Sequence, residues 1–250
     1  MSSPTWTRVA LSSEFRRFDR RAWRLVEAQH RVSTLKLVDD LAEQARLEEL
    51  IEATKPSLPP ECEGLDLLLA TPFRYGAVYP NGSRFRRAGR TAGVFYASEH
   101  VEAAIAEMAY YRWLFFADSP ETPLPDRASD YSAFAVQIDT AKCLDLTAPP
   151  LSADEAVWTD PANYAGCQAF ADAARSVGAL AIRYVSVRDP ARRRNVAVLG
   201  CAAFAGREPV DRQTWRLNFG ERRVQALCEF PRREIEFTSD AFASDRRIGA

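Results

Sequence analysis

The stretch TPFRYGAVYPNGSRFRRAGRTAGVFYASEHVEAAIAE, residues 71–107, reads as an arginine-bearing strand, a basic loop, a short aromatic strand and the start of a helix. PFRYGAVY is short, apolar and aromatic, and it carries Arg74 between Phe73 and Tyr75. Asn81-Gly82 is a tight-turn signal, and RAGRTAG predicts a mobile loop punctuated by glycine. Arg84, Arg86, Arg87 and Arg90 fall in this loop, and no acidic residue lies between Ser83 and Ser98 to compensate them. GVFYAS is a strand candidate ending at Ser98, which is placed to cap a helix from about residue 99 to 116. The helix's apolar stripe is Val101, Ala104, Ile105, Met108, the stem of Arg112, and Phe115. At about 100° per residue Glu107 falls at the margin of that stripe, where a carboxylate can point along the seam between helix and sheet.

Working outward, residues 8–31 alternate arginines with Phe15, Phe18, Trp23, Leu25 and Val26, and residues 34–53 place apolar residues at mostly three- and four-residue steps; they predict two helices, the second capped by Ser33 or Thr34 and stopped at Lys55-Pro56. KPSLPPECEG then reads as a linker. LDLLLA, YSAFAVQID with CLDL, ALAIRYVSVRD, NVAVLGCAAF, QTWRLNF and RVQALCEF are strand candidates, the last two joined at Gly220-Glu221 as a hairpin. Residues 151–164 suggest a surface connection. Cys167 to Val177 predicts a helix ended by Gly178, and the tail after about Phe237 reads as frayed. The outline is an α+β fold preceded by a helical N-terminal region.

The bulk numbers restrict the chemistry. The chain has 250 residues, 33 Lys+Arg against 34 Asp+Glu, and a formal net charge of −1, so any anion site is local and a general nucleic-acid binder is disfavoured. Five scattered cysteines (62, 143, 167, 201, 228) read as small buried hydrophobes in a reducing compartment. His30 and His100 belong to no Cys/His cluster, so no metal is expected. No secretory signal or run of ~20 apolar residues is visible, so a cytoplasmic protein with no membrane contact is expected. G-x-S-x-G, phosphate-loop and dinucleotide glycine fingerprints are absent.

For each remaining candidate a bland role stands beside the chemical one. Arg74 suits an anion, or an internal salt bridge. The loop arginines attract phosphate, or form a solvated face. Tyr96 can stack on a flat heterocycle, or pack in the core. Glu107 can stabilise positive charge developing on a ribose carbon, or make a boundary salt bridge. Ser186 alone says almost nothing.

Taken in order, TPFRYGAVYPNGSRFRRAGRTAGVFYAS, AAIAEMAYYR and RYVSVRDPARRRNVAVL resemble the RES-domain family, over about residues 65–205. The resemblance implies a domain over 61–250 after a helical region at 1–60, with an ADP-ribosyltransferase-like split antiparallel sheet flanked by helices. It implies the toxin half of a toxin–antitoxin pair that consumes NAD⁺ as substrate with no bound cofactor. It makes Arg74, Glu107 and Ser186 the catalytic set, and Arg74, Tyr75, Arg84, Tyr96 and Ser186 the residues that hold NAD⁺. The implied activity is cleavage of the nicotinamide–ribose bond, with water or phosphate as acceptor. The implied partner is an Xre-type antitoxin carrying a DNA-binding helix-turn-helix. The N-terminal part is open to three roles: bracing the core, a homo-oligomer contact, or receiving the antitoxin. Two alternatives remain at this level, ADP-ribosyl transfer to a protein or nucleic acid from the same pocket, and a non-catalytic module whose basic loop binds an anion.

Overall fold

A computed structural model describes residues 8–28, 37–74, 82–89 and 91–242. Its helices are α1 (Arg8–Ser13), α2 (Leu41–Thr54), α3 (Leu67–Ala70), α4 (Val101–Asp118), α5 (Glu155–Trp158) and α6 (Ala165–Ser176). Its strands are β1 (Arg16–Glu27), β2 (Phe95–Ser98), β3 (Ser129–Asp145), β4 (Ala181–Val185), β5 (Arg194–Val198), β6 (Asp211–Phe219), β7 (Arg223–Cys228) and β8 (Arg233–Thr238). They form one mixed α+β architecture around an eight-stranded sheet in the order β1-β2-β5-β4-β3-β6-β7-β8, and β1 also pairs with β3. That extra pairing closes β1, β2, β5, β4 and β3 into a ring, from which β6, β7 and β8 extend. All the pairings are antiparallel except β3 with β4.

The ring is filled from all five strands. Phe18 and Ala22 of β1, Phe95 and Ala97 of β2, Val196 and Val198 of β5, Ala181 of β4, and Phe134, Val136 and Ile138 of β3 belong to one buried cluster. Because side chains alternate along a strand, the residues between them face outward and are covered by helices. Tyr96, Ala197, Ile182 and Tyr184 pack with Phe170 and Ala174 of α6. Ile105, Ala109, Tyr110 and Trp113 of α4 pack with Leu25, Ala133 and Trp215.

The N-terminal helix expected over residues 8–31 is α1 followed by β1, a twelve-residue strand in continuous antiparallel register with β3 from Phe18↔Thr140 to Glu27↔Tyr131. Phe18, Ala22 and Val26 are four apart, a spacing that puts residues on one face of a helix and equally on one face of a strand. Pairing with β3 decides between them. The second helix starts at Leu41, where the Asp40 carboxylate accepts from the Ala42 and Glu43 N–H groups at 2.8 Å; Ser33 and Thr34 lie outside the described residues.

LDLLLA is helix α3 with Asp66 as its cap, and residues 71–73 form a 3-10 turn, so Arg74 ends a turn where a strand was expected. Leu69, Ala70 and Phe73 from this segment join the ring's core. His100 takes the cap position of α4, while Ser98 stays in β2 and gives its hydroxyl to Asn195. Phe115 of the expected stripe is exposed, and Tyr110 and Trp113 are buried in its place. YSAFAVQID and CLDL are one strand, β3. The connection 151–164 contains α5 and buries Trp158. The segment before the tail, REIEFT, is β8, whose Ile235 and Phe237 turn inward between charged neighbours. Cys62 and Cys201 are joined by a disulfide with Cα atoms 5.5 Å apart, which corrects the expectation of five free thiols; Cys143, Cys167 and Cys228 are free and buried. Among the described residues no helix is long and apolar enough to cross a membrane.

The hairpin at Gly220 and the stop at Gly178 (φ 78°) stand as expected. Gly93 has a different reason to be glycine. A Cβ there would lie 1.9 Å from the Pro72 carbonyl oxygen and 2.8 Å from the Phe73 Cα, so the chain entering β2 passes against the turn that carries Arg74. Backbone on both sides cannot give way. Gly93→Ala is expected to destabilise the fold by about 3 kcal/mol, read as a lower urea midpoint; an unchanged midpoint would contradict this packing.

Candidate active site

Helix α4 delivers Glu107 to a cavity of about 230 Å³ bounded by β1, β2, β4 and β5. The strand alternation that sends Phe95, Ala97, Val196 and Val198 into the ring sends Tyr96 and Ser98, Asn195, and Tyr184 toward α4. Cross-strand register then gathers them, because Ser98 pairs with Asn195 and Asn195 with Tyr184. Ser186 follows β4 immediately and Arg188 two residues later. Trp23, Tyr111 and Tyr164 complete an aromatic wall.

Glu107 Oε1 accepts two hydrogen bonds, from the Ser186 hydroxyl at 2.7 Å and from the Asn195 side-chain amide at 2.7 Å. Ser186 is fully buried and accepts from the Asp189 N–H at 3.0 Å, which sets its hydroxyl proton toward the carboxylate. Asp189 is held in turn by Arg193 at 2.9 Å. Burial pushes the Tyr184 hydroxyl well above the ordinary phenol range, and the negative charge of Glu107 adds to the effect. Tyr184 therefore stays protonated beside the carboxylate.

Two guanidinium groups lie in the same wall. Arg84 is 8% exposed; one nitrogen donates to the carbonyls of Trp158 (2.8 Å) and Asp160 (3.0 Å), and its carbon sits 4.7 Å from the centroid of the Tyr164 ring. Arg188 donates to the Pro161 carbonyl at 2.5 Å and to the Tyr164 hydroxyl at 3.3 Å, and stacks 3.7 Å from the Tyr110 ring centroid. Around Arg84, rings and carbonyls stabilise the cation without neutralising it, so its part of the wall stays electropositive. A carboxylate and two buried guanidinium groups in one cavity lined by aromatic rings suit a ligand with an anionic part and a flat, cationic or charge-developing part.

Of the residues expected to form the site, Arg84, Tyr96, Glu107 and Ser186 come together. Tyr75 lies outside the described residues, as do Arg90 and His30. Arg74 does not line the cavity. Its guanidinium, 8% exposed, donates to the Glu52 carboxylate of α2 and to the Pro56 carbonyl at 2.8 Å. A buried cation takes the acceptors within reach, and the N-terminal part supplies both. This contact also holds Glu52 below the usual carboxylate range, through the Arg74 hydrogen bond first and Lys55 second.

The loop is braced where mobility was expected. The Tyr96 hydroxyl accepts from the Phe85 N–H at 2.9 Å and is 2.8 Å from Ser83 Oγ, while Gln168 donates to the Ser83 carbonyl at 3.0 Å. Arg87 pairs with Asp172 and Arg86 donates to Thr91, so among the described loop arginines Arg84 is the one that reaches the cavity. Asn195, Tyr184 and Arg188 were not singled out in the sequence. Asn195 did leave a signal, an amide opening the otherwise apolar run NVAVL.

Comparison with known proteins identifies the family. No curated protein matches the chain. Among solved structures, the chain is similar to one in the crystal structure of the M. tuberculosis MbcT–MbcA toxin–antitoxin complex, at 14% identity and a TM-score of 0.45, covering 96% of this chain and 97% of that one. The RES domain family model matches residues 58–220, a span that contains Arg84, Tyr96, Glu107, Ser186 and Asn195 and well over half of the sequence; the chain belongs to the RES-domain family.

Proposed function

We propose that this protein cleaves the nicotinamide–ribose bond of NAD⁺ and acts as the toxin of a toxin–antitoxin pair. The observation that carries the reading is Glu107, a carboxylate fixed by Ser186 and Asn195 in an aromatic pocket that also holds Arg84 and Arg188. The cavity is smaller than the ~300–1,000 Å³ common for whole drug-sized ligands, so it suits the nicotinamide–ribose end, with the diphosphate toward the arginines.

In this reading nicotinamide leaves as a neutral base, taking the electron pair of the C–N bond, and positive charge develops on the ribose. Glu107 stabilises that charge where it forms, in surroundings that exclude much of the water that would screen it. Tyr96 and its aromatic neighbours hold the flat ring. Water or phosphate then bonds to the ribose carbon; water sheds one proton, giving ADP-ribose, and phosphate gives a phosphorylated ADP-ribose. NAD⁺ is the substrate here, and no separate cofactor is needed. In this reading the partner is a cognate antitoxin, of the Xre type. The proposed setting is the cytoplasm, where NAD⁺ is available.

Incubation of the purified protein with NAD⁺, with and without phosphate, is expected to release nicotinamide; intact NAD⁺ in both would sink the proposal, and label transferred to protein would redirect it to ADP-ribosyl transfer. Glu107→Gln is expected to lower kcat about 10²–10³-fold with the melting temperature near the parent's. Ser186→Ala, which leaves the Asn195 bond in place, is expected to cost less, about tenfold in kcat. A larger loss for Ser186→Ala than for Glu107→Gln would reverse the assigned roles.

A further inference from the structure

We propose that Asn195 is the positioning residue of the site: oriented by Ser98, it locks one oxygen of Glu107 and leaves the other for the ligand. The assignment goes beyond the catalytic set above, and its kinetic arm rests on the proposed NAD⁺ cleavage.

A carboxylate oxygen only accepts, so the 2.7 Å contact with Glu107 Oε1 requires the NH₂ end of the Asn195 amide. The amide oxygen must then face Ser98, and at 2.7 Å the Ser98 hydroxyl donates to it. Turning the amide over would set two acceptors against each other. Asn195 is 2% exposed and Ser98 also 2%, so water cannot substitute for either bond.

Oε1 is thereby occupied by two donors, Ser186 and Asn195, while no described residue donates to Oε2. Ser186 alone would permit the carboxylate to swing about its last torsion, which is broad and two-fold. A second donor from a different strand removes that freedom. The two donors come from the end of β4 and the start of β5, neighbouring strands that pair Tyr184 with Asn195, so sheet pairing sets the carboxylate plane. Ser98 reaches in from β2, the third strand of the same face.

The test compares Asn195→Ala, Asn195→Asp and Ser98→Ala in NAD⁺ turnover. Asn195→Ala is expected to lower kcat about 10²-fold through misplacement of the carboxylate, with KM within about threefold. Asn195→Asp is expected to be worse, because it sets a second carboxylate against Glu107; a residue that merely fills space would tolerate the isosteric change better than the truncation. Ser98→Ala, the milder variant if the others fail to fold, is expected to lose about three- to tenfold in kcat. A loss confined to KM, or Asn195→Asp milder than Asn195→Ala, would overturn the assignment. An independent readout needs no turnover. The Asn195 side-chain NH₂ signals in a ¹⁵N NMR spectrum, identified by their absence in Asn195→Asp, are expected to be slow to exchange with water and to move in Glu107→Gln. Signals that exchange like exposed amides, or that do not move, would overturn it even if NAD⁺ is cleaved. Protected signals that move, in a parent that leaves NAD⁺ intact, would uphold the positioning while the proposed reaction fails.

Discussion

A carboxylate at the seam of a helix and a sheet has to be satisfied, and the way Glu107 is satisfied ties the local architecture together. Its two donors sit just after β4 and on β5, and its own backbone on α4. The three elements can meet only if β2, β5 and β4 present their polar residues on the outside of the ring. The apolar alternates, Val196, Val198 and Phe95, fill the inside and impose that orientation. A one-residue slip of β5 would bury Asn195 in the ring and expose Val196 to the cavity. The hydrophobic interior is therefore what fixes the polar site, and the charge tolerated at the seam is the consequence.

Much of this was legible locally. Glu107 stood at the margin of a helical stripe, Tyr96 in a short strand before it, and the α6 stop and the β6–β7 hairpin were marked by glycine. What local sequence could not carry was the partner of each element. Phe18, Ala22 and Val26 have a spacing common to helix and strand, and the choice depends on β3, which begins more than a hundred residues later. Arg74 shows the same limit. The sequence says that an arginine among aromatic residues needs acceptors, and it leaves open whether a ligand or the protein provides them. In the fold, Glu52 and Pro56 do so from the N-terminal part. Asn195 was passed over because one amide at a strand's start has no meaning until Ser98 and Glu107 are beside it.

The basic loop shows how charge count and charge availability differ. Four arginines without a nearby acid suggested a diffuse anion clamp. Arg86 and Arg87 find partners in Thr91 and Asp172, and the Tyr96 hydroxyl, Ser83 and Gln168 hold the loop's backbone. Of the described loop arginines Arg84 lines the cavity, and Arg188, on the segment after β4, lines the same wall. Arg84 is held by neutral carbonyls and an aromatic face, which orient a guanidinium while leaving its charge uncancelled. Pairing it with a carboxylate would have oriented it equally well and removed its attraction for an anion.

The same distinction explains why Glu107 is held by a hydroxyl and an amide, with Arg84 and Arg188 set elsewhere in the wall. An arginine paired to it would fix the carboxylate more strongly, yet it would cancel the negative charge that the proposed reaction uses to stabilise a developing ribose cation. Neutral donors fix direction and leave the charge to the ligand. Arg84 is directed toward carbonyls and a ring, Glu107 toward a serine and an asparagine, and groups of both signs line one small cavity. Each is oriented by neutral groups, an arrangement that suits a ligand with parts of both signs better than it suits a structural salt bridge.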